Sequence, residues 1–165
     1  MSAIQGKLSA VQERRYLTVL FGDLSGSTAL SFDLETEVYA SMILELHNLY
    51  EACIERYGGT IVQLEGDGVL ACFGYPKAGE SDARNAVRAA LEITEGARLL
   101  AERRPELPEL NAHCGVHTGL VVLQSNPRSA VQYSLFGTAV NIAAKLSDRA
   151  NSATRRFGKR SNSFS

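Results

Sequence analysis

The sequence predicts an α+β fold, with helices on one face of a mainly antiparallel sheet, close to the ferredoxin-like split βαβ pattern. Three observations carry this. Apolar, β-branched runs alternate with amphipathic stretches in the order β-α-α-β-β-α-β-β-α. Two of the strand-like runs are joined by only Glu65-Gly66-Asp67-Gly68, which has the length and composition of a hairpin turn. No internal repeat is evident.

The first strand is expected over 15–22, where Leu17-Thr18-Val19-Leu20-Phe21 is too apolar to face water. It ends at Asp23, and the small-residue turn Ser25-Gly26-Ser27-Thr28 follows. A short helix is expected from Ser25 to Phe32. A longer one starts near Leu34, with Tyr39, Met42, Ile43, Leu46, Leu49, Tyr50 and Cys53 at helical spacing, and Gly58-Gly59 stops it. Thr60 to Leu64 and Val69 to Phe73 read as short strands. Pro76 to Gly79 reads as a loop. Ser81 to Arg104 reads as a helix with Ala83, Ala86, Val87, Ala90, Thr94 and Ala97 on its apolar face, ended by Pro105 and Pro108. Strands follow at Asn111 to Leu123 and Val131 to Phe136, then a helix from Gly137 to Leu146.

The 165 residues are 45% hydrophobic and 21% charged, which suits one domain with its own core. The expected organisation is a leader over 1–14, a folded domain over 15–147 and a basic, disordered tail over 148–165. The formal charge of −1 hides an asymmetry: from Arg149 onward there are five basic residues and no acidic one, so the rest carries 12 basic against 18 acidic residues, a net of −6. An acidic body argues against a nucleic-acid surface. The longest stretch free of Asp, Glu, Lys and Arg, Leu110 to Pro127, contains Asn111, His113, His117 and Gln124 and does not read as a membrane span. Cys53, Cys72 and Cys114 are scattered in apolar surroundings and read as reduced core thiols of a cytoplasmic protein.

Asp23 and Asp67 carry the chemical argument. Each ends or separates strand-like runs, and Gly66 and Gly68 flank Asp67 so that the backbone can approach a ligand. Either acid alone would serve equally well as a helix cap or in an Asx-turn. Together, beside a turn whose backbone N–H groups can face an anion, they point to Mg²⁺ held against a nucleoside triphosphate. The turn is not a Walker motif, because no Gly-Lys-Ser/Thr follows. His113 and His117 stand four apart, a zinc spacing on a helix. On a strand that spacing separates them by about 13 Å, and no Glu adjoins His113, so zinc is disfavoured. Asn141 and Lys145 lie one turn apart on a helix face, where a hydrogen-bond donor and a cation suit a polyphosphate; composition alone fits a solvated face better.

These segments, in this order, resemble the class III adenylate/guanylate cyclase catalytic domain over about Arg15 to Leu146. The anchors are Leu20-Phe21-Gly22-Asp23-Leu24-Ser25-Gly26-Ser27-Thr28, Gly58-Gly59-Thr60, Gly66-Asp67-Gly68-Val69-Leu70-Ala71-Cys72-Phe73-Gly74, Gly115-Val116-His117-Thr118-Gly119 and Tyr133-Ser134-Leu135-Phe136-Gly137-Thr138-Ala139-Val140-Asn141. The Gly-Gly-Asp/Glu-Glu-Phe signature of diguanylate cyclases is absent.

The resemblance implies attack of a ribose 3′-OH on the α-phosphorus, giving a 3′,5′-cyclic nucleotide and pyrophosphate. It implies two Mg²⁺ or Mn²⁺ ions on Asp23 and Asp67, a phosphate-binding turn of Leu24, Ser25, Gly26, Ser27 and Thr28, and Asn141 orienting the ribose. It also implies a head-to-tail homodimer in which one chain supplies the metal residues and the other the base and transition-state residues. The base-selecting positions of the family are Gln63 and Ser134, and this pair does not settle the base. Lys145 stands where the family has its transition-state arginine; a lysine keeps the charge but loses the bidentate fork, which implies a slower enzyme. After Leu146 the resemblance ends, so the chain reads as incomplete at its C-terminus.

The expected function is a nucleotidyl cyclase using ATP, with GTP turned over beside it, in a longer protein that carries sensor or ATPase modules. The rival is a weak or inactive cyclase-like domain that senses nucleotide or dimerises. A third reading is an interaction domain in which the two aspartates bind no metal.

Overall fold

Long ladders organise the chain. The structure, a computed structural model, describes residues 11–127 and 132–161, with side chains to 152. In chain order the elements are β1 (Gln12–Leu24), α1 (Ser27–Asp33), α2 (Thr36–Arg56), β2 (Thr60–Glu65), β3 (Gly68–Phe73), α3 (Asp82–Glu102), β4 (Ala112–Ser125), β5 (Tyr133–Phe136) and α4 (Thr138–Ser161). The strands form an antiparallel sheet in the order β2-β3-β1-β4-β5. The crossover through α1 and α2 leads from β1 to β2 with β3 between them. The crossover through α3 leads from β3 to β4 with β1 between them. This is the split βαβ arrangement of an α+β fold.

Alternation along the central strands explains the layers. Leu20 and Leu24 of β1, with Val69, Ala71 and Phe73 of β3, turn to one face and meet Met42, Leu46, Tyr50 and Ile54 of α2 and Ala86, Ala89, Ile93 and Ala97 of α3. Leu17 and Val19, with Cys72, Val121 and Leu123, turn to the other face and meet Ala139 and Ala143 of α4. Helices were expected on one face only. The central strands are apolar on both faces, and α4 covers the second.

Three further expectations are corrected. The buried stripe of α3 is Ala86, Ala89, Ile93, Ala97 and Leu100, whereas Ala83, Val87 and Thr94 are exposed. Rotating the helix in this way buries Ile93 and Leu100, which remove far more apolar surface from water than Ala83 or Thr94 would. Strand β1 begins at Gln12, inside the expected leader, because β4 is long enough to pair Gln12 with Gln124 and Glu13 with Leu123. Helix α4 does not end at Leu146 but continues to Ser161, through most of the expected tail. Its continuation is anchored by Ser147, fully buried and hydrogen-bonded, and by Asn151. Residues 1–10 of the leader, Val131 and the last four residues of the tail lie outside the described residues. Among the described residues, no helix is long and apolar enough to cross a membrane.

One close approach seats α4. A Cβ at Gly115 would overlap the Ala143 carbonyl oxygen and the Ser147 backbone nitrogen. Only glycine lets the helix backbone lie this near β4.

Candidate active site

The end of β1 and the β2–β3 turn converge on two carboxylates. Gly66 takes a φ of 55° and lets the chain reverse tightly. Helix α2 holds this turn from below. The Tyr50 hydroxyl donates to the Asp67 carbonyl oxygen at 2.7 Å, and the His47 ring Nε2 donates to the Gly66 carbonyl oxygen at 2.7 Å. The Asp67 side chain then reaches across to β1, where its Oδ2 accepts the Leu24 backbone N–H at 2.8 Å. That bond brings it beside Asp23, the residue preceding Leu24.

Asp23 pairs with His113 across the β1–β4 ladder. The Ser147 hydroxyl lies 3.0 Å from both Asp23 Oδ1 and the His113 carbonyl oxygen and shares its proton between them. Burial pushes the Asp23 carboxyl above the usual carboxylate range. The Ser147 bond opposes this, Asp67 and Asp148 add to it as like charges, and His113 counters them.

The donor set fits a hard divalent cation. Two carboxylates repel each other, and the hydrogen bonds among described residues occupy one oxygen of each. Among the described residues, no cluster of three or more His, Cys, Asp or Glu forms a protein-only cage. A pair of carboxylates that shares its ion with ligand oxyanions is the arrangement by which Mg²⁺ is usually held.

The expected phosphate turn is narrower in the structure than in the sequence. The Leu24 N–H is taken by Asp67, and the Ser25 N–H by the Asn111 carbonyl oxygen at 2.9 Å. Neither is left for an anion, because the Asp67 carboxylate and the chain entering β4 use them first. Gly26 is the N-cap of α1, with no side-chain cap. The N–H groups of Gly26, Ser27 and Thr28 have no backbone acceptor among the described residues.

A cleft of about 380 Å³ opens beside this region, lined by Phe21, Gln63, Glu65, Leu135, Asn141 and Ala144 among others. Its polar groups are few. The Gln63 amide Nε2 donates to Glu65 Oε2 at 2.6 Å, which directs the Gln63 carbonyl oxygen away from Glu65. The structure thus brings together Gln63 and Asn141, and separately Asp23 and Asp67. Ser134 does not line the cleft: it follows the opposite pleat from buried Leu135, and its hydroxyl accepts from Asn126 Nδ2 at 2.9 Å. Lys145 lies exposed one turn beyond Asn141 and also does not line the cleft.

Sequence reasoning missed the supports. Tyr50 was read as one more apolar position of α2, and Ser147 as the edge of a disordered tail. His113 was weighed only as a zinc ligand. Its ring nitrogen Nε2 instead lies 2.5 Å from the Ser25 hydroxyl. The spacing of Ser147 and Asn151, four apart like Asn141 and Lys145, was the available signal that α4 ran on.

Comparison with known proteins bears on the whole arrangement. The family described as adenylate and guanylate cyclase catalytic domain matches residues 10–155, past Leu146, where the sequence resemblance was placed. Adenylate cyclase 1 of Rhizobium meliloti (strain 1021) is 32% identical over 136 residues, covering 81% of this chain. The chain spans only 20% of that relative's length. Among solved structures, the adenylyl cyclase CyaB from P. aeruginosa superposes with a TM-score of 0.77 at 28% identity, over 85% of this chain and 74% of that one. The guanylyl cyclase Cya2 does so with a TM-score of 0.71 at 29% identity, over 83% and 71%.

Proposed function

This chain belongs to the adenylate and guanylate cyclase catalytic domain family, and from that premise we propose that it converts ATP, with GTP beside it, into the 3′,5′-cyclic nucleotide and pyrophosphate. The observation that carries this reading is the Leu24 N–H bond to Asp67 Oδ2, which holds the second carboxylate beside Asp23. Nothing in the packing of the core requires two acids there, since bringing like charges together costs energy.

Each side chain has a task. Asp23, oriented by Ser147, and Asp67, oriented by Leu24 and Tyr50, hold two Mg²⁺ or Mn²⁺ ions. When bound, these ions lower the pKa of the ribose 3′-OH and neutralise triphosphate charge. The N–H groups of Gly26, Ser27 and Thr28 take phosphate oxygens. Asn141 orients the ribose. Lys145 offsets charge that develops at the α-phosphate, as a point charge rather than a fork. Gln63 reads the base, and Ser134 reaches it only after leaving Asn126.

The site is shared in a homodimer, with Asp23 and Asp67 from one chain and Gln63, Ser134, Asn141 and Lys145 from the other. The common cleft of Gln63 and Asn141 within one chain supports that division. The free thiols Cys53, Cys72 and Cys114 suit a reducing, cytoplasmic setting. In the whole protein the domain works beside sensor or ATPase modules.

Incubation of the purified chain with ATP or GTP and Mn²⁺, with identification of the product, tests the reading. Cyclic AMP is expected to exceed cyclic GMP by about tenfold, the modest discrimination that neutral contacts give. Absence of both products, with nucleotide bound, would favour the rival reading, a nucleotide-sensing module. The exposure of Lys145 is the observation that supports this rival. The shared site has its own test. Asp23→Ala and Asn141→Ala, each inactive alone, should regain activity when mixed. Random exchange makes about half the dimers mixed and leaves roughly a quarter of sites native.

A further inference from the structure

The turn that follows Asp23 is pinned at a single residue. Ser25 comes two positions after Asp23 and immediately before the three N–H groups left to an anion. Its backbone N–H is held by the Asn111 carbonyl oxygen at 2.9 Å. Its hydroxyl lies 2.5 Å from His113 Nε2 on β4 and 2.6 Å from Asn151 Oδ1 on α4. The β4 and α4 segments therefore fix one small side chain, and the residue just before β4 holds its backbone.

Proton counting orders this cluster. A serine hydroxyl has one proton. Here it is donated to Asn151 Oδ1, so toward His113 the oxygen accepts, and the ring carries its proton on Nε2. His113 is 6% exposed, and its neighbour across the ladder is Asp23. The ring is close enough to Asp23 to act on its carboxyl, and its Nε2 also meets Ser25 in the next turn of chain. With its single proton given to Asn151, the Ser25 hydroxyl has none to donate to a phosphate oxygen. It is the peg on which the turn hangs.

We propose that His113 and Asn151 are positioning residues that hold the Gly26–Thr28 N–H groups at the triphosphate through the Ser25 hydroxyl. The inference rests on the proposed cyclase site. It assigns work to a histidine that the reaction does not otherwise use and to the part of α4 beyond the motif helix. Removing the His113 donor leaves the Ser25 hydroxyl bonded to Asn151 alone, beside the backbone bond to Asn111. Removing Asn151 leaves that hydroxyl bonded to His113 alone, again beside the bond to Asn111. In either case the turn gains freedom that must be lost again when phosphate binds.

Inorganic pyrophosphate is the probe, because it engages the turn without base or ribose. Its affinity for the full chain with saturating Mn²⁺ is read by calorimetry, and the folding midpoint by thermal denaturation. His113→Leu and Asn151→Ala are each expected to weaken pyrophosphate binding about tenfold, the scale of one lost hydrogen bond in a closed network. His113→Gln, which keeps an N–H near the Nε2 position, is expected to stay within about twofold of wild type. That rescue separates positioning from bulk stability, since a glutamine replaces the donor and not the ring's packing. If His113→Leu fails to fold, Asn151→Ala with His113→Gln decides the matter. Wild-type affinity in folded His113→Leu and Asn151→Ala would overturn the inference and leave the cyclase reading standing. Failure of the wild-type chain to bind pyrophosphate would overturn the proposed site and this inference with it.

Discussion

The phenol of Tyr50 donates a 2.7 Å hydrogen bond to the carbonyl oxygen of Asp67, joining the fully buried ring of α2 to the turn that carries the second carboxylate. The aromatic ring belongs to the core, and the oxygen belongs to the site. Burial, with smaller contributions from nearby acidic groups, pushes the phenol well above its usual range, so it remains a donor throughout the working range of pH.

Tyr50→Phe separates the two roles. The ring still packs, while the Asp67 carbonyl loses its donor, at a cost of about 1 kcal/mol. Urea denaturation should report that loss. Mn²⁺ affinity should fall about fivefold, because the turn that holds Asp67 is loosened. Unchanged Mn²⁺ affinity would confine Tyr50 to packing.

Asp23→Asn and Asp67→Asn each remove one of two facing negative charges. Without metal, both variants should melt higher than wild type, since the repulsion that helps to raise the Asp23 pKa is gone. Millimolar Mn²⁺ should raise the midpoint of wild type and leave both variants nearly unmoved. Cyclase turnover should drop by at least about 100-fold in each, if each carboxylate carries an ion. A variant that keeps the Mn²⁺ shift would remove that aspartate from the metal site.

Lys145→Arg should raise kcat by about tenfold with little change in KM, because a planar fork can meet two phosphate oxygens where an ammonium meets one. Lys145→Ala should lower kcat by a similar factor. Equal rates for all three would return Lys145 to the solvated face of α4.

The three thiols give a pH prediction. Burial chiefly pushes Cys53 up to about 11 and Cys72 and Cys114 up to about 12. Folded values above the unfolded one mean stability that is fully present below pH about 9 and is lost as pH rises through 11 to 12. Native protein at pH 8 should therefore react with a disulfide reagent far more slowly than free thiol does, and denatured protein should react at all three cysteines. Rapid labelling of a native cysteine at pH 8 would show that the local packing opens.

The order of strands and helices was legible because periodicity is local. The apolar run Leu17 to Phe21 and the hairpin Glu65 to Gly68 announce themselves in adjacent residues. Asp23 and Asp67 stood out as a candidate pair because glycines and small residues surround them, and the Leu24 bond to Asp67 sets the two side by side. The Leu24 N–H and the Ser25 N–H were misassigned because their acceptors lie 43 and 86 positions away, at Asp67 and Asn111. Ser147 was lost for a similar reason. Its partners, Asp23 and His113, lie far upstream, and a serine followed by Asp148 and Arg149 carries no local mark of burial. The face of α3 was misread because alanines occur on several sides of the helix, and only tertiary packing chooses among them.

Gly115 has a consequence for how finely the site can be tuned. Most helices ride on a cushion of side chains, and each rotamer adds play to the position of what the helix carries. Here α4 rests on bare strand backbone at Gly115, within one turn of both Asn141 and Ser147 on the facing helix. The strand thus acts as a machined stop. A methyl group at position 115 would act as a shim, lifting Asn141 and the Ser147 grip on Asp23 together by the thickness of a single carbon.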